Sequence, residues 1–140
     1  MDRESMLKEI LQSAKTIAVV GLSSNPDNES HRIASYLKDQ GYRIIPVNPT
    51  ATEILGQKVY PDLVSVPERI DVVEVFRTPE DVPPVVDDAI KAGAKVVWMQ
   101  EGIVHDGAAQ KAREAGLQVV MDTCMREAHR SLIGPQPVKL

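Results

Sequence analysis

The chain has 140 residues, 43% of them hydrophobic, with 16 basic against 20 acidic side chains and a net charge of -4. That length allows on the order of two-thirds of the unfolded surface to be buried and predicts one domain over residues 1–140. With no basic run there is no footprint for a nucleic-acid partner. No apolar run approaches membrane-spanning length, which argues against a membrane partner, and a single cysteine rules out an internal disulfide. Together with an N-terminus, "MDRESMLKEI", that lacks the apolar core of a signal peptide, these features predict a soluble, cytoplasmic protein.

In chain order, amphipathic spacing predicts a helix over about Asp2 to Ala14, followed by a strand from Thr16 to Val20. A polar run leads into a helix from about Ser30 to Gln40 and a strand from Tyr42 to Val47. The connection "NPTATEILGQKVYPDLVSVPERI" is too long for a plain loop and predicts a short extra strand at Lys58 to Tyr60 plus a turn of helix. Beyond it come a strand from Asp71 to Phe76, a helix to about Ala92 and a strand from Ala94 to Met99. A helix to about Ala115, a strand from Leu117 to Met121 and a helix from about Thr123 to Leu132 complete the order, and the Pro-rich tail "GPQPVKL" reads as loose.

The pieces "GYRIIPV", "GAKVVWM" and "GLQVVMD" share one form, a glycine, one residue, a polar residue and an apolar run. A glycine just past a helix terminates it. Short Val- and Ile-rich runs that do not alternate are strands buried on both faces. The expectation is therefore an α/β fold: a doubly wound parallel sheet of about five strands in three layers, helices above and below.

In such a sheet a ligand binds at the carboxyl ends of the strands, beside the first strand-to-helix turn. That turn reads Gly21-Leu22-Ser23-Ser24-Asn25-Pro26. Gly21 allows a sharp exit and close approach of a ligand, the helix after it offers N–H groups to an anion, and Ser23, Ser24 and Asn25 add donors, a set suited to phosphate. The same residues serve equally as a polar loop that caps the helix. The turn lacks G-x-G-x-x-G, the second strand ends Val47-Asn48-Pro49 instead of in an acid, and no G-x-x-x-x-G-K-[ST] occurs, so neither a dinucleotide fingerprint nor a triphosphate loop is present.

"TIAVVGLSSNP", "GYRIIPVNP", "IDVVEVFRTPEDVP", "VVWMQEGI" and "VVMDTC", in this order and spacing, resemble the small single-domain CoA-binding proteins, relatives of the CoA-binding domain of the succinyl-CoA synthetase α subunit. The likeness spans roughly residues 4 to 133. It implies a Rossmann-like domain that binds coenzyme A or an acyl-CoA, with Gly21 to Pro26 against the phosphates and Met99-Gln100-Glu101 as a second contacting segment. The chain departs from the pattern twice. Thr50-Ala51 stand where the synthetase has a CoA-contacting lysine, and Ala128 precedes His129 where similar proteins have an acid.

Beside the resemblance, Arg77 and Thr78 follow the strand at Asp71 to Phe76, so a guanidinium lies on the same sheet edge as the phosphate turn. Asn48 suits either adenine and ribose or a plain Asn-Pro turn. His31 and Arg32 are lesser candidates for the anion, and Trp98 reads as core. Cys124 and His129 stand five apart, about 140° around a helix, which is poor geometry for a nucleophile and its base. Cys124 thus reads as a small buried residue, and His31, His105 and His129 share no metal-ligand spacing. No catalytic or metal residue is assigned. The alternatives are a small CoA- or nicotinamide-dependent enzyme and a Rossmann-like interaction scaffold with an unidentified protein partner.

Overall fold

The computed structural model describes residues 2–135, so residues 136–140 of the tail read as loose lie outside the described residues. In chain order the elements are α1 (Arg3–Ser13), β1 (Thr16–Val20), α2 (Glu29–Asp39), β2 (Arg43–Val47), β3 (Glu53–Ile54), β4 (Gln57–Lys58), β5 (Val72–Val75), α3 (Val82–Lys91), β6 (Val96–Met99), α4 (Asp106–Glu114), β7 (Gln118–Val120) and α5 (Met125–Leu132). Single 3-10 turns stand at Leu63–Ser65 and Pro79–Asp81. Five strands pair in parallel in the order β2-β1-β5-β6-β7, the Rossmann-like α/β sheet expected.

Alternation along each strand sends side chains to opposite faces, and each face is covered by helices. Ile17 and Val19 of β1, Val72 of β5 and Trp98 of β6 join Leu7, Ile10 and Leu11 of α1, Ile33 and Leu37 of α2 and Met125 of α5. Ala18, Val20, Val73, Val75, Val97 and Met99 pack on the other face with Val82 and Val86 of α3 and the alanines Ala108, Ala109 and Ala112 of α4. Burial on both faces is why the strands read as unbroken apolar runs. The helix-terminating glycines Gly41, Gly93 and Gly116 all have positive φ, as the recurrent pattern requires.

One residue breaks the apolar run of β5. Glu74 lies in register between Val19 and Trp98, is wholly excluded from water, and neither of its carboxyl oxygens has a hydrogen-bond partner. Burial pushes its pKa from 4.5 up to about 8, so the group is a neutral acid at pH 7.

The long connection differs in detail from its expectation. In place of one extra strand at Lys58 to Tyr60, β3 and β4 form an antiparallel pair, and Tyr60 alone continues to the main sheet. Tyr60 N donates to Pro46 O at 3.0 Å and its carbonyl accepts from Asn48 N at 3.0 Å, so the connection covers the outer edge of β2. An edge is also where a strand accommodates Pro46, which has no N–H to donate. The expected turn of helix is the 3-10 turn at Leu63–Ser65.

Candidate functional site

From β1 the chain winds outward to β2 and then returns to β5 on the other side of β1, so the winding reverses between β1 and β5. Open α/β sheets carry their crevice at that point, on the carboxyl edge. A cleft of about 350 Å³ lies there. Its walls are Gly21 after β1, Asn28 to Ser30 and Ile33 at the start of α2, Phe76 after β5, Gln100, Glu101 and Ile103 after β6, and Cys124 before α5. Of the residues expected from sequence, Gly21, Gln100 and Glu101 line it.

The first turn is held mostly by bonds to itself. Gly21 has φ +87°, and a Cβ built there would stand 2.2 Å from the Phe76 carbonyl oxygen. Glycine is needed because two adjacent strand exits almost touch, a reason more immediate than the approach of a ligand. Ser23 N donates to Ser30 Oγ at 3.0 Å, Ser23 Oγ accepts from Asn25 N at 3.1 Å, and Asn25 Oδ1 accepts from Asp27 N at 3.0 Å. Asn28 is the N-cap of α2, accepting from Ser30 N at 2.9 Å and from Ser30 Oγ at 2.6 Å. The helix therefore starts one residue earlier than its sequence signal suggested. Ser24, Asn25 and Pro26 form the exposed crest of the turn.

Asn48 joins this turn to the exit of β2. Its Nδ2 donates to Leu22 O at 2.9 Å, and its Oδ1 accepts from Thr50 N, Thr50 Oγ1 and Ala51 N at 2.8, 2.9 and 3.2 Å. The amide is a brace between two loops, with its polar atoms already occupied. Gln100 is another brace. Buried at the exit of β6, it accepts from Met125 N at 2.9 Å and supplies the cap of α5 that its N-cap residue, Cys124, does not make. Met99 is fully buried, its side chain packed in the α3/α4 core, so only its backbone belongs to the carboxyl edge. Thr78 stands at the N-cap position of the 3-10 turn before α3 without a side-chain capping bond, and its Oγ1 donates to Asp81 Oδ2 at 3.0 Å.

The cations divide clearly. His31 Nδ1 lies 2.9 Å from Ser23 O, Arg32 pairs with Glu29 at 3.3 Å, and Arg126 pairs with Glu29 at 2.7 Å. Arg77, half-buried after β5, makes no ion pair or hydrogen bond among the described residues. A guanidinium left unpaired at the switch point is available to an anion.

Cys124 corrects its sequence reading: it is partly exposed on the cleft wall, not buried filler. His129 is buried, with Nδ1 2.8 Å from Tyr36 Oη and its ring edge-on to Tyr36 and Tyr42; burial lowers its pKa from 6.5. The imidazole belongs to the core between α5 and α2. Trp98 is core as expected, fully buried, its Nε1 donating to Thr123 O at 2.8 Å. Asn28, Glu29 and Phe76 escaped the sequence reading. The signal for the first two was an Asn two residues before a Ser at a helix start, a cap pattern.

Among the described residues no group of three His, Cys, Asp or Glu is placed to hold a metal ion, and no helix is long and apolar enough to cross a membrane.

Sheet order and cleft define the class: a doubly wound α/β protein, open at its switch point. Residues 15–130 match the family described as CoA binding domain, and the chain belongs to that family. It is 46% identical over 123 residues to the uncharacterized protein YneT of Bacillus subtilis, covering 88% of this chain and 91% of YneT. The crystal structure of Prb, the PH1109 protein redesigned for binding, superposes with a TM-score of 0.93 at 40% identity, over 97% of this chain and 96% of that one. ADP-forming acetate–CoA ligase II of Archaeoglobus fulgidus is 31% identical over 96 residues, 66% of this chain but 14% of the ligase. The chain is thus homologous to one small region of a larger enzyme.

Proposed function

We propose that this chain is a single-domain module that binds coenzyme A or an acyl-CoA and has no chemistry of its own. The observation that carries this reading is the cleft at the switch point of a member of the CoA-binding domain family. The pyrophosphate lies against the turn from Gly21 to Pro26, where the first turn of α2 presents backbone N–H groups and the crest residues Ser24 and Asn25 are exposed to a ligand. Arg77, which makes no ion pair or hydrogen bond among the described residues, serves the 3′-phosphate. Asn48 and Gln100 act by holding the loops that form the cleft, and Glu101 closes its far rim. A non-catalytic role is supported by the placement of His129, the histidine that follows Cys124 in sequence: it is bonded to Tyr36 in the core and does not line the cleft with the cysteine.

Calorimetric titration tests this. CoA is expected to bind more tightly than NAD, because no carboxylate ends β2 to grip a ribose. Ser24→Asp sets a negative charge against the phosphates and weakens CoA by one to two decades, the scale of a charged hydrogen bond of roughly 1.5–3 kcal/mol. Arg77→Ala narrows the gap between CoA and dephospho-CoA. Equal affinity for NAD and CoA, or indifference to Ser24→Asp, would reduce the turn to a helix cap.

A further inference from the structure

A second cleft, of about 750 Å³, lies between α1 and α5. It shares Glu101 and Cys124 with the switch-point cleft, so the two adjoin at the exit of β6 and the start of α5. Its apolar lining comes from Leu7, Ala128 and Leu132.

The charges around it are one-sided. Among the described residues, Glu4, Glu101, Asp122 and Glu127 line the groove against a single cation, Arg3, which donates to Thr123 Oγ1. Glu127 is compensated by Arg126 at 3.6 Å and Arg130 at 3.1 Å. Among the described residues Asp122 accepts from Gly102 N at 2.6 Å and makes no ion pair, and neither do Glu4 and Glu101. Three unneutralised carboxylates thus face one arginine.

This asymmetry orients a long ligand that is anionic at one end. Phosphates are repelled from the α1/α5 groove and accepted near Arg77, which leaves the groove to the uncharged pantetheine arm and whatever its sulfur carries. Resting on the CoA reading above, we propose that the α1/α5 groove is the acyl subsite, and that its carboxylates select free CoA and short neutral acyl groups against acyl groups ending in a carboxylate. Glu101 is the main specificity residue, since it stands where the two clefts join and its carboxylate is exposed.

Titration of the full chain with CoA, acetyl-CoA, butyryl-CoA and succinyl-CoA at low ionic strength tests the proposal. Butyryl and succinyl chains have the same number of carbons, so the pair separates charge from bulk. Acetyl-CoA and butyryl-CoA are expected within threefold of CoA, with succinyl-CoA about tenfold weaker, a gap that narrows as salt is added. Glu4→Lys, outside the switch-point cleft, is expected to narrow the gap between succinyl-CoA and butyryl-CoA while CoA affinity stays within threefold, which also reports that the variant is folded; Glu101→Lys is expected to narrow it further, read as the ratio of the two acyl-CoA affinities within that variant. If CoA binds but succinyl-CoA and butyryl-CoA bind alike, or butyryl-CoA is excluded as strongly as succinyl-CoA, the acyl subsite falls and the CoA reading stands. If CoA itself does not bind, the underlying reading fails.

Discussion

The chain leaves β1 and β6 on the same edge of the sheet, and each exit turns through a glycine of nearly equal φ, +87° at Gly21 and +84° at Gly102. A side chain at Gly21 would run into the carbonyl of Phe76, whereas one at Gly102 would meet nothing within 4 Å. The β1 exit is rich in neutral polar side chains that bond to nearby backbone, and Asn48 ties it to the exit of β2. The β6 exit is an open rim with exposed Glu101, held by Asp122 through Gly102 N. Positive φ alone therefore does not make a position intolerant. Contact with the neighbouring strand does, and it divides the cleft into a rigid cradle on one side and an adaptable acidic lip on the other.

The sharpest test of this contrast is a pair of alanines. Gly21→Ala combines a left-handed strain of about 1–2 kcal/mol with overlap on the Phe76 carbonyl, for a loss of about 3–5 kcal/mol. Gly102→Ala carries the strain alone, about 1 kcal/mol. Denaturant midpoints at unchanged slope measure both, and equal losses would dissolve the distinction. Next in size is Asn48→Ala, expected to cost about 2 kcal/mol by orphaning Leu22 O and the Thr50 and Ala51 N–H groups. Its counterpart on the lip, Asp122→Gly, trades the bond to Gly102 N for relief of a φ of +52°, and should shift stability by less than about 0.5 kcal/mol. Arg77→Ala should move stability least, within about 0.5 kcal/mol, because no ion pair or hydrogen bond among the described residues is lost. Its effect appears only in the titrations with CoA and dephospho-CoA, and a substantial fall in melting temperature would show that the arginine is structural.

The sheet was legible in sequence because its strands are buried on both faces, which leaves runs such as "IAVV" and "VVWM" without the polar alternation of a half-exposed strand. Helix and strand ends were less so, because side chains decide them. Asn28 caps α2 ahead of Ser30, and the Asp71 carboxylate, read as the start of a strand, accepts instead from Lys15 N and Thr16 N at the opposite edge from the cleft. The site was legible as an edge but not as a set of contacts. Every candidate residue does lie along the carboxyl ends of the strands, yet Gln100 reads as a ligand group until its bond to Met125, twenty-five positions on, is seen. Polar residues whose partners are distant in sequence leave no local pattern by which to tell a brace from a binding group.

The carboxyl of Glu74 makes folding of this chain an event of proton uptake. In the unfolded chain the group ionises near 4.5, and in the folded chain near 8, so at pH 7 unfolding releases a proton to the solution. Because the folded-state pKa is the higher, the folded state binds the extra proton, and stability falls as pH rises from about 4.5 through about 8. His129, held neutral by burial, acts in the opposite sense, costing stability as pH falls below 6.5. The proton released at pH 7 is taken up by buffer, so the calorimetric heat of unfolding should be smaller in Tris, which binds protons with a large release of heat, than in phosphate. Glu74→Gln should remove that difference and flatten the alkaline loss, so the heat exchanged with the buffer reports directly on one hydrogen held in the middle of the sheet.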